Sequence, residues 1–417
     1  MIHIDRITKV MLYMLLLSPF LGYAYSVWFS LPKTFTHFFT FFSFGIGLVF
    51  ILLKKHINIP LWAKFLLIFA LYKLMWNLII GSDKHFLTVL FYQVRDFAVF
   101  FIMIIVYSTS FSEKFINQSI IIMKLIVILA ALVSVIQIFN IEFLNPRVYA
   151  GEDTGIEENM YTFRRVSIFG FVHPGSLGLA FIPLLSVLVG YLLYTNDKHY
   201  ILYLFLGIIV AFLSNTRFII IGSIIVTLQI VAYNKSRIRG YIRYFIIFGI
   251  LMFFALTALD YLGYDFKEWF KQRLMVEGSI QGTTRYKAIG NFLRFFPQKP
   301  IFGTGTMTEE IREASRAVGS SQIHVGYLAM LVYYGLVGCF FLFGSWFLLI
   351  KHLYKTARKT HYGGSFFGFL TFLWSFTTMN LAFLLFSGII FSMVFDKYFT
   401  DRERSNNFND LQASITN

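Results

Sequence analysis

Residues 115–139 read FINQSIIIMKLIVILAALVSVIQIF, with Lys124 the only charged residue in the run. A helix needs about 20 apolar residues, each rising ~1.5 Å, to cross a hydrocarbon core ~30 Å thick. This stretch meets that length, and others like it recur from one end of the chain to the other. Over 417 residues the composition is 57% hydrophobic and only 14% charged, where soluble domains carry roughly 25% charged residues. The mean hydropathy is +0.68. Such a chain lacks the polar surface to stay in water, which excludes a soluble globular enzyme, a disordered chain and a nucleic-acid-binding domain. The single cysteine, Cys339, lies inside an apolar stretch, so there is no disulfide framework and no cysteine-based metal site.

Working outward from 115–139, further spans are expected near 10–30, 35–53, 60–80, 88–107, 172–194, 200–213, 217–233, 244–262, 324–350, 363–378 and 381–396. The expected fold class is all-α, a polytopic membrane protein of about twelve transmembrane helices forming one unit. The first run is full length with no small-residue cleavage pattern after it, and it reads as a retained anchor.

The net charge of +15 comes from short basic segments between apolar runs: Lys54-Lys55, Lys235 to Arg243, Lys351 to Lys359, and the tail after Asp396. That is the pattern of cytoplasmic loops, and it explains the charge without a polyanionic partner. With Arg6 and Lys9 inside, residues 140–171 and 263–323 fall on the outer face, and 397–417 form a cytoplasmic tail. The larger loop, between spans nine and ten, reads as partly helical. Phe266, Trp269, Phe270 and Leu274 recur at helical spacing, as do Tyr286, Ile289, Leu293 and Phe296, before Pro297 and Pro300 end the pattern. Thr306-x-x-Glu309 fits a capping box that would start a third helix. A carrier of the major-facilitator type has its long connection inside, between helices six and seven; here that connection is only Thr195 to His199. The weight outside the membrane favours an enzyme acting at the outer leaflet over a transporter.

Charged residues near the outer face carry the chemical signal. Arg217 follows Ser214-Asn215-Thr216, good N-capping residues for a helix that begins there. Free N–H groups, the positive end of the helix dipole and a guanidinium together suit a phosphate; a headgroup anchor is the alternative. His173-Pro174 opens another span behind Arg164-Arg165. The paired arginines would neutralise an anionic ligand or sit among headgroups, and His173 reads as structural. At His324 a further helix starts. A positive helix end disfavours the imidazolium, which leaves a neutral ring suited to a general base, against a purely structural role. Within the membrane, Lys73, Arg95 and Asp96 need partners or a wet cavity. The acidic pairs Glu152-Asp153 and Glu309-Glu310 read equally as a divalent-ion site or as solvated loop faces. No P-loop, zinc motif or nucleophile elbow is present.

The order of local patterns resembles the O-antigen polymerase and ligase superfamily of membrane glycosyltransferases. The resemblance rests on Arg165-Val-Ser-Ile-Phe-Gly-Phe-Val-His-Pro174, Ser214-Asn-Thr-Arg217, Gly282-Thr-Thr-Arg285-Tyr, Phe296-Pro…Pro300-Ile-Phe-Gly-Thr-Gly305 and His324-x-x-Tyr-Leu328…Tyr334-Gly335-Leu-Val-Gly338. It covers about residues 160–340, and the remainder matches only as apolar spans. One departure is Val325, where many members carry Asn after the histidine.

The resemblance implies a donor glycan on undecaprenyl diphosphate, presented at the outer leaflet of a bacterial plasma (inner) membrane. It implies transfer without a metal, cofactor or nucleotide sugar. Arg217 and Arg285 would hold the diphosphate and His324 would act as base. Arg164, Arg165, His173, Arg95 and Tyr327 are the expected substrate contacts. The expected activity is polymerisation of lipid-linked repeats, with O-antigen ligase or protein O-glycosyltransferase as alternatives and a polysaccharide or lipid transporter as the reading from another class. A flippase and a chain-length regulator are the expected partners, alongside the bilayer and the lipid-linked glycan.

Overall fold

The computed structural model describes residues 6–17, 38–53, 57, 59–80, 86–140, 143, 174–214, 217–233, 249, 257, 284–305, 308–316, 323, 325–377 and 387–416. Among these residues the regular structure is entirely helical. The helices are α1 (6–17), α2 (Phe38–Leu53), α3 (Leu61–Ile80), α4 (Phe86–Ser108), α5 (Glu113–Phe139), α6 (Pro174–Tyr194) and α7 (Tyr200–Leu213). They continue with α8 (Arg217–Tyr233), α9 (Thr284–Phe295), α10 (Glu309–Arg316), α11 (Gly326–Thr360), α12 (Gly364–Ser375) and α13 (Ser387–Thr416). Three of them, α3, α5 and α11, are long and apolar enough to cross a membrane. With the shorter apolar helices packed beside them, the chain is a multi-pass membrane protein.

α6 is the hub. From Leu179 to Val189 it is buried on every side, as expected of a helix that is apolar all round. It packs on α5, α7, α8, α12 and α13. Small residues let the backbones meet: a Cβ on Gly190 would stand 2.4 Å from the Cα of Gly364. Buried polar groups then tie the helices together. The Ser186 hydroxyl donates to the Gly364 carbonyl (2.9 Å), and Gln229 donates to Ser186 Oγ (2.6 Å). These contacts also set directions. α11 starts at Gly326 at one end of the bundle, here the upper end, and finishes at Thr360 at the lower end. α12 starts low at Gly364 and finishes high at Ser375, and the carbonyl of the next residue, Phe376, accepts from Gly326 N at 2.9 Å. Gln229, near the finish of α8, meets the start of α12, so Arg217 opens α8 at the upper end.

α11 is not one helix but two. Gly335, at φ 61° and ψ −169°, interrupts it, a conformation open essentially to glycine alone. A break inside a bilayer frees N–H and C=O groups that lipid cannot satisfy. The segment Pro300–Gly305 fills the gap. Thr304 N and Gly305 N donate to the carbonyls of Val332 (3.0 Å) and Tyr333 (2.7 Å); Leu336 N and Val337 N donate to Pro300 (2.9 Å) and Ile301 (3.0 Å). Loop and break thus satisfy each other as a backbone splice. Contact is so close that a Cβ on Gly335 would lie 2.3 Å from the Ile301 oxygen.

At the lower end the helices are joined by side chains. Asp396 on α13 is fully buried. Its Oδ2 accepts from the Tyr107 hydroxyl of α4 (2.8 Å) and lies 2.8 Å from His352 Nε2 of α11. The sequence marks Asp396 as the border between a span and a charged tail; instead α13 runs through it unbroken to Thr416.

One local expectation changes. The capping residue of α10 is Thr308, not Thr306: its Oγ1 accepts from Ile311 N at 3.4 Å, and the helix starts at Glu309. The Lys124 Nζ lies 3.5 Å from Asp197 in the turn between α6 and α7. Span nine at 244–262, the acidic pair Glu152-Asp153 and the pattern from Phe266 to Leu274 lie outside the described residues, residue 257 and glycine 249 apart.

Candidate functional site

The upper end gathers the helix starts that the sequence singles out. Arg217 is the first residue of α8 and Arg285 the second of α9. α9 packs on α11. Its Phe295 is buried, and Phe292 stacks on Phe296 of the following turn at 4.9 Å, so α9 leads rigidly into the splice. α10 folds back on α9 through Asn291 Nδ2 to Ser315 Oγ (3.4 Å) and Arg294 to Glu310 (3.2 Å). Glu309 pairs with Arg312. Both carboxylates of the Glu309-Glu310 pair therefore face arginines.

His324 lies between two described residues. Ile323 is fully buried, and Val325 is extended at φ −100°. Directly after it, Gly326 N is held by the Phe376 carbonyl, and the Tyr327 hydroxyl donates to the Leu373 carbonyl at 2.6 Å. The Tyr327 ring packs among Trp346, Phe343 and Phe376. Tyr327 thereby pins the start of α11 to the finish of α12. His324, Arg164, Arg165 and His173 lie outside the described residues, as do the side chains of Arg95, Arg217 and Arg285. What the backbone establishes is placement: the starts of α8 and α11 belong to one end, and α9 is docked on α11.

Residues 202–343 match the O-antigen ligase family. The match runs from α7 through α11 and includes Arg217, Arg285, the splice segment, His324 and Gly335, and it supports the O-antigen ligase and polymerase superfamily. Members are glycosyltransferase-like enzymes. No curated protein matches the chain.

Several residues at this end escaped the sequence reading. Tyr72 and Trp76, one turn apart on α3, bond the splice from the side. The Tyr72 hydroxyl lies 2.6 Å from the Phe302 carbonyl and 3.0 Å from that of Tyr334; Trp76 Nε1 donates to the Gly303 carbonyl at 3.2 Å. Lys73, which the sequence placed deep in the membrane and in need of a partner, is buried with its Nζ 5.6 Å from the centre of the Tyr334 ring, within cation–π range. Asn77, also buried, lies beneath Gly305. For Tyr72, Trp76 and Asn77 the only sequence signal is a polar and aromatic stripe around Lys73, Tyr72-Lys73-x-x-Trp76-Asn77, in an otherwise apolar span.

Proposed function

We propose that the protein polymerises undecaprenyl-diphosphate-linked oligosaccharide repeats at the outer leaflet of a bacterial plasma membrane, with the upper end as its active face. The observation that carries this reading is the family match across Arg217, Arg285 and His324, supported by the gathering of α8, α9 and α11. In the reaction the anomeric carbon–oxygen bond breaks and its electron pair stays on the diphosphate. Cations must hold that growing charge. Arg217 and Arg285 suit the task because a guanidinium forks onto phosphate oxygens in a fixed geometry. His324 takes the proton from the incoming sugar hydroxyl, and Arg164, Arg165, His173, Arg95 and Tyr327 complete the contacts to glycan and lipid. A chain-length regulator and a flippase are the natural partners of such a polymerase.

Deleting the gene and resolving surface glycan on a gel tests the activity. Loss of the long-chain ladder with one capped repeat retained supports polymerase. Accumulation of unattached lipid-linked polymer supports the ligase reading instead. With purified protein, His324→Gln and Arg217→Lys should each lose at least about 100-fold in turnover, and a chelator should leave the wild type active. Wild-type rates for His324→Gln would remove the base assignment.

A further inference from the structure

We propose that Tyr72 and Trp76 of α3 are positioning residues for the transfer reaction: they lock Pro300–Gly305 into the break at Gly335 and so hold α9, which carries Arg285, against α11. The proposal rests on the functional reading above, but its residues lie outside the matched segment at 202–343.

The geometry separates two jobs within the splice. Four backbone hydrogen bonds satisfy the broken helix, and the partners in them are the segment Pro300–Gly305 and α11 itself. Among the described residues, the side-chain hydrogen bonds that reach the splice from another helix come from α3. Tyr72 places one proton between the carbonyls of Phe302 and Tyr334, one on each side of the splice. Trp76 bonds Gly303 O and lays its indole on the Phe302 ring, centroids 5.0 Å apart. Neither side chain has any chemistry to offer a glycosyl transfer from this position. What they control is the docking of the segment that follows α9, and α9 begins at Thr284-Arg285. A shift of about 1 Å in a charged group at a reacting centre is enough to cost up to ~100-fold in rate.

Tyr72→Phe keeps the ring and removes only the donor; Trp76→Phe removes the indole N–H and leaves a smaller aromatic face against Phe302. The experiment measures two quantities on purified full-length protein in detergent. Hydrogen exchange reports docking: the amides of Thr304, Gly305, Leu336 and Val337 should exchange slowly in the wild type and about tenfold or more faster in the double variant. Turnover of a lipid-linked repeat reports catalysis: kcat should fall about 10- to 100-fold, with KM within about twofold. The decisive comparison repeats both substitutions in an Arg285→Ala background. If Tyr72 and Trp76 act through the arginine, their removal there costs less than about twofold, because the group they position is already gone. Equal losses in both backgrounds, or full turnover despite released amides, overturn the proposal and leave the functional reading standing. Protected amides in a wild-type protein that turns over no lipid-linked repeat overturn the functional reading, and this proposal with it.

Discussion

At Gly335 helix α11 is broken, and its freed backbone groups pair with Pro300, Ile301, Thr304 and Gly305; lower on the same helix, at His352, the helix is continuous and is held by side chains around the buried carboxylate of Asp396. Both joints sit among apolar helices, and both exist because an unpaired polar group there is costly. They differ in what they demand of sequence. The splice demands the absence of side chains, since three positive-φ glycines, Gly303, Gly305 and Gly335, pass backbone against backbone. The lower joint demands particular side chains and puts no special condition on the backbone. A joint of the first kind fixes two segments rigidly in register. One of the second kind holds helices together through rotatable groups.

Three substitutions test that contrast, and a fourth probes a polar joint in a turn between helices. The largest effect is expected at Asp396→Ala, which empties a fully buried site, strands the buried Tyr107 hydroxyl and takes the partner from the partly exposed His352 ring; a loss of about 3–5 kcal/mol should appear in denaturant unfolding of the purified protein. Next comes Gly335→Ala, which forces a Cβ into a glycine-only conformation and onto the Ile301 oxygen. It should cost about 2–4 kcal/mol and expose the Leu336 and Val337 amides, while exchange around His352 stays unchanged. If Gly335→Ala proved silent, the splice would not be rigid and the comparison would fail. Removing one donor to the carboxylate, with Tyr107→Phe, should cost about 1–2 kcal/mol by the same measurement, because His352 still occupies Oδ2.

The smallest effect belongs to Asp197, in the turn joining α6 to α7. Burial opposes its ionisation, but the His199 amide (2.9 Å) and ring (2.6 Å) and the Lys124 ammonium outweigh this and hold the carboxyl below its ordinary value. A lowered folded value means the stabilisation is present above the unfolded carboxylate value of about 4 and is lost as pH falls through the folded one. Asp197→Asn should therefore lower the melting temperature slightly at pH 7, by the equivalent of about 0.2–1 kcal/mol. The gap to wild type should close below about pH 4.

Much of the helix pattern is legible without coordinates. Reading apolar runs against length puts spans at 115–139, 200–213 and 217–233, and the helices run Glu113–Phe139, Tyr200–Leu213 and Arg217–Tyr233. At Ser112 even the start has a local cause, since its side chain accepts from Phe115 N. The candidate site is legible in a different way: Arg217, Arg285 and His324 stand out through motif order, while Tyr72 and Trp76 do not, because a tyrosine and a tryptophan in a membrane span look like any other packing residues.

What the sequence determines by itself is therefore the helical class, the membrane as solvent and the positions of most helices, because hydropathy is a local sum over neighbouring residues. What only the tertiary structure decides is where polar groups find partners across the bundle. Gly335 reads as a motif glycine, and becomes a helix break only once Pro300–Gly305 is there to satisfy it. Asp396 reads as the start of a charged tail, and becomes a buried joint only once Tyr107 and His352 arrive from helices far away in the chain. In a bilayer each such group must be satisfied inside the protein, and which partner does so is fixed by packing, to which sequence proximity contributes nothing.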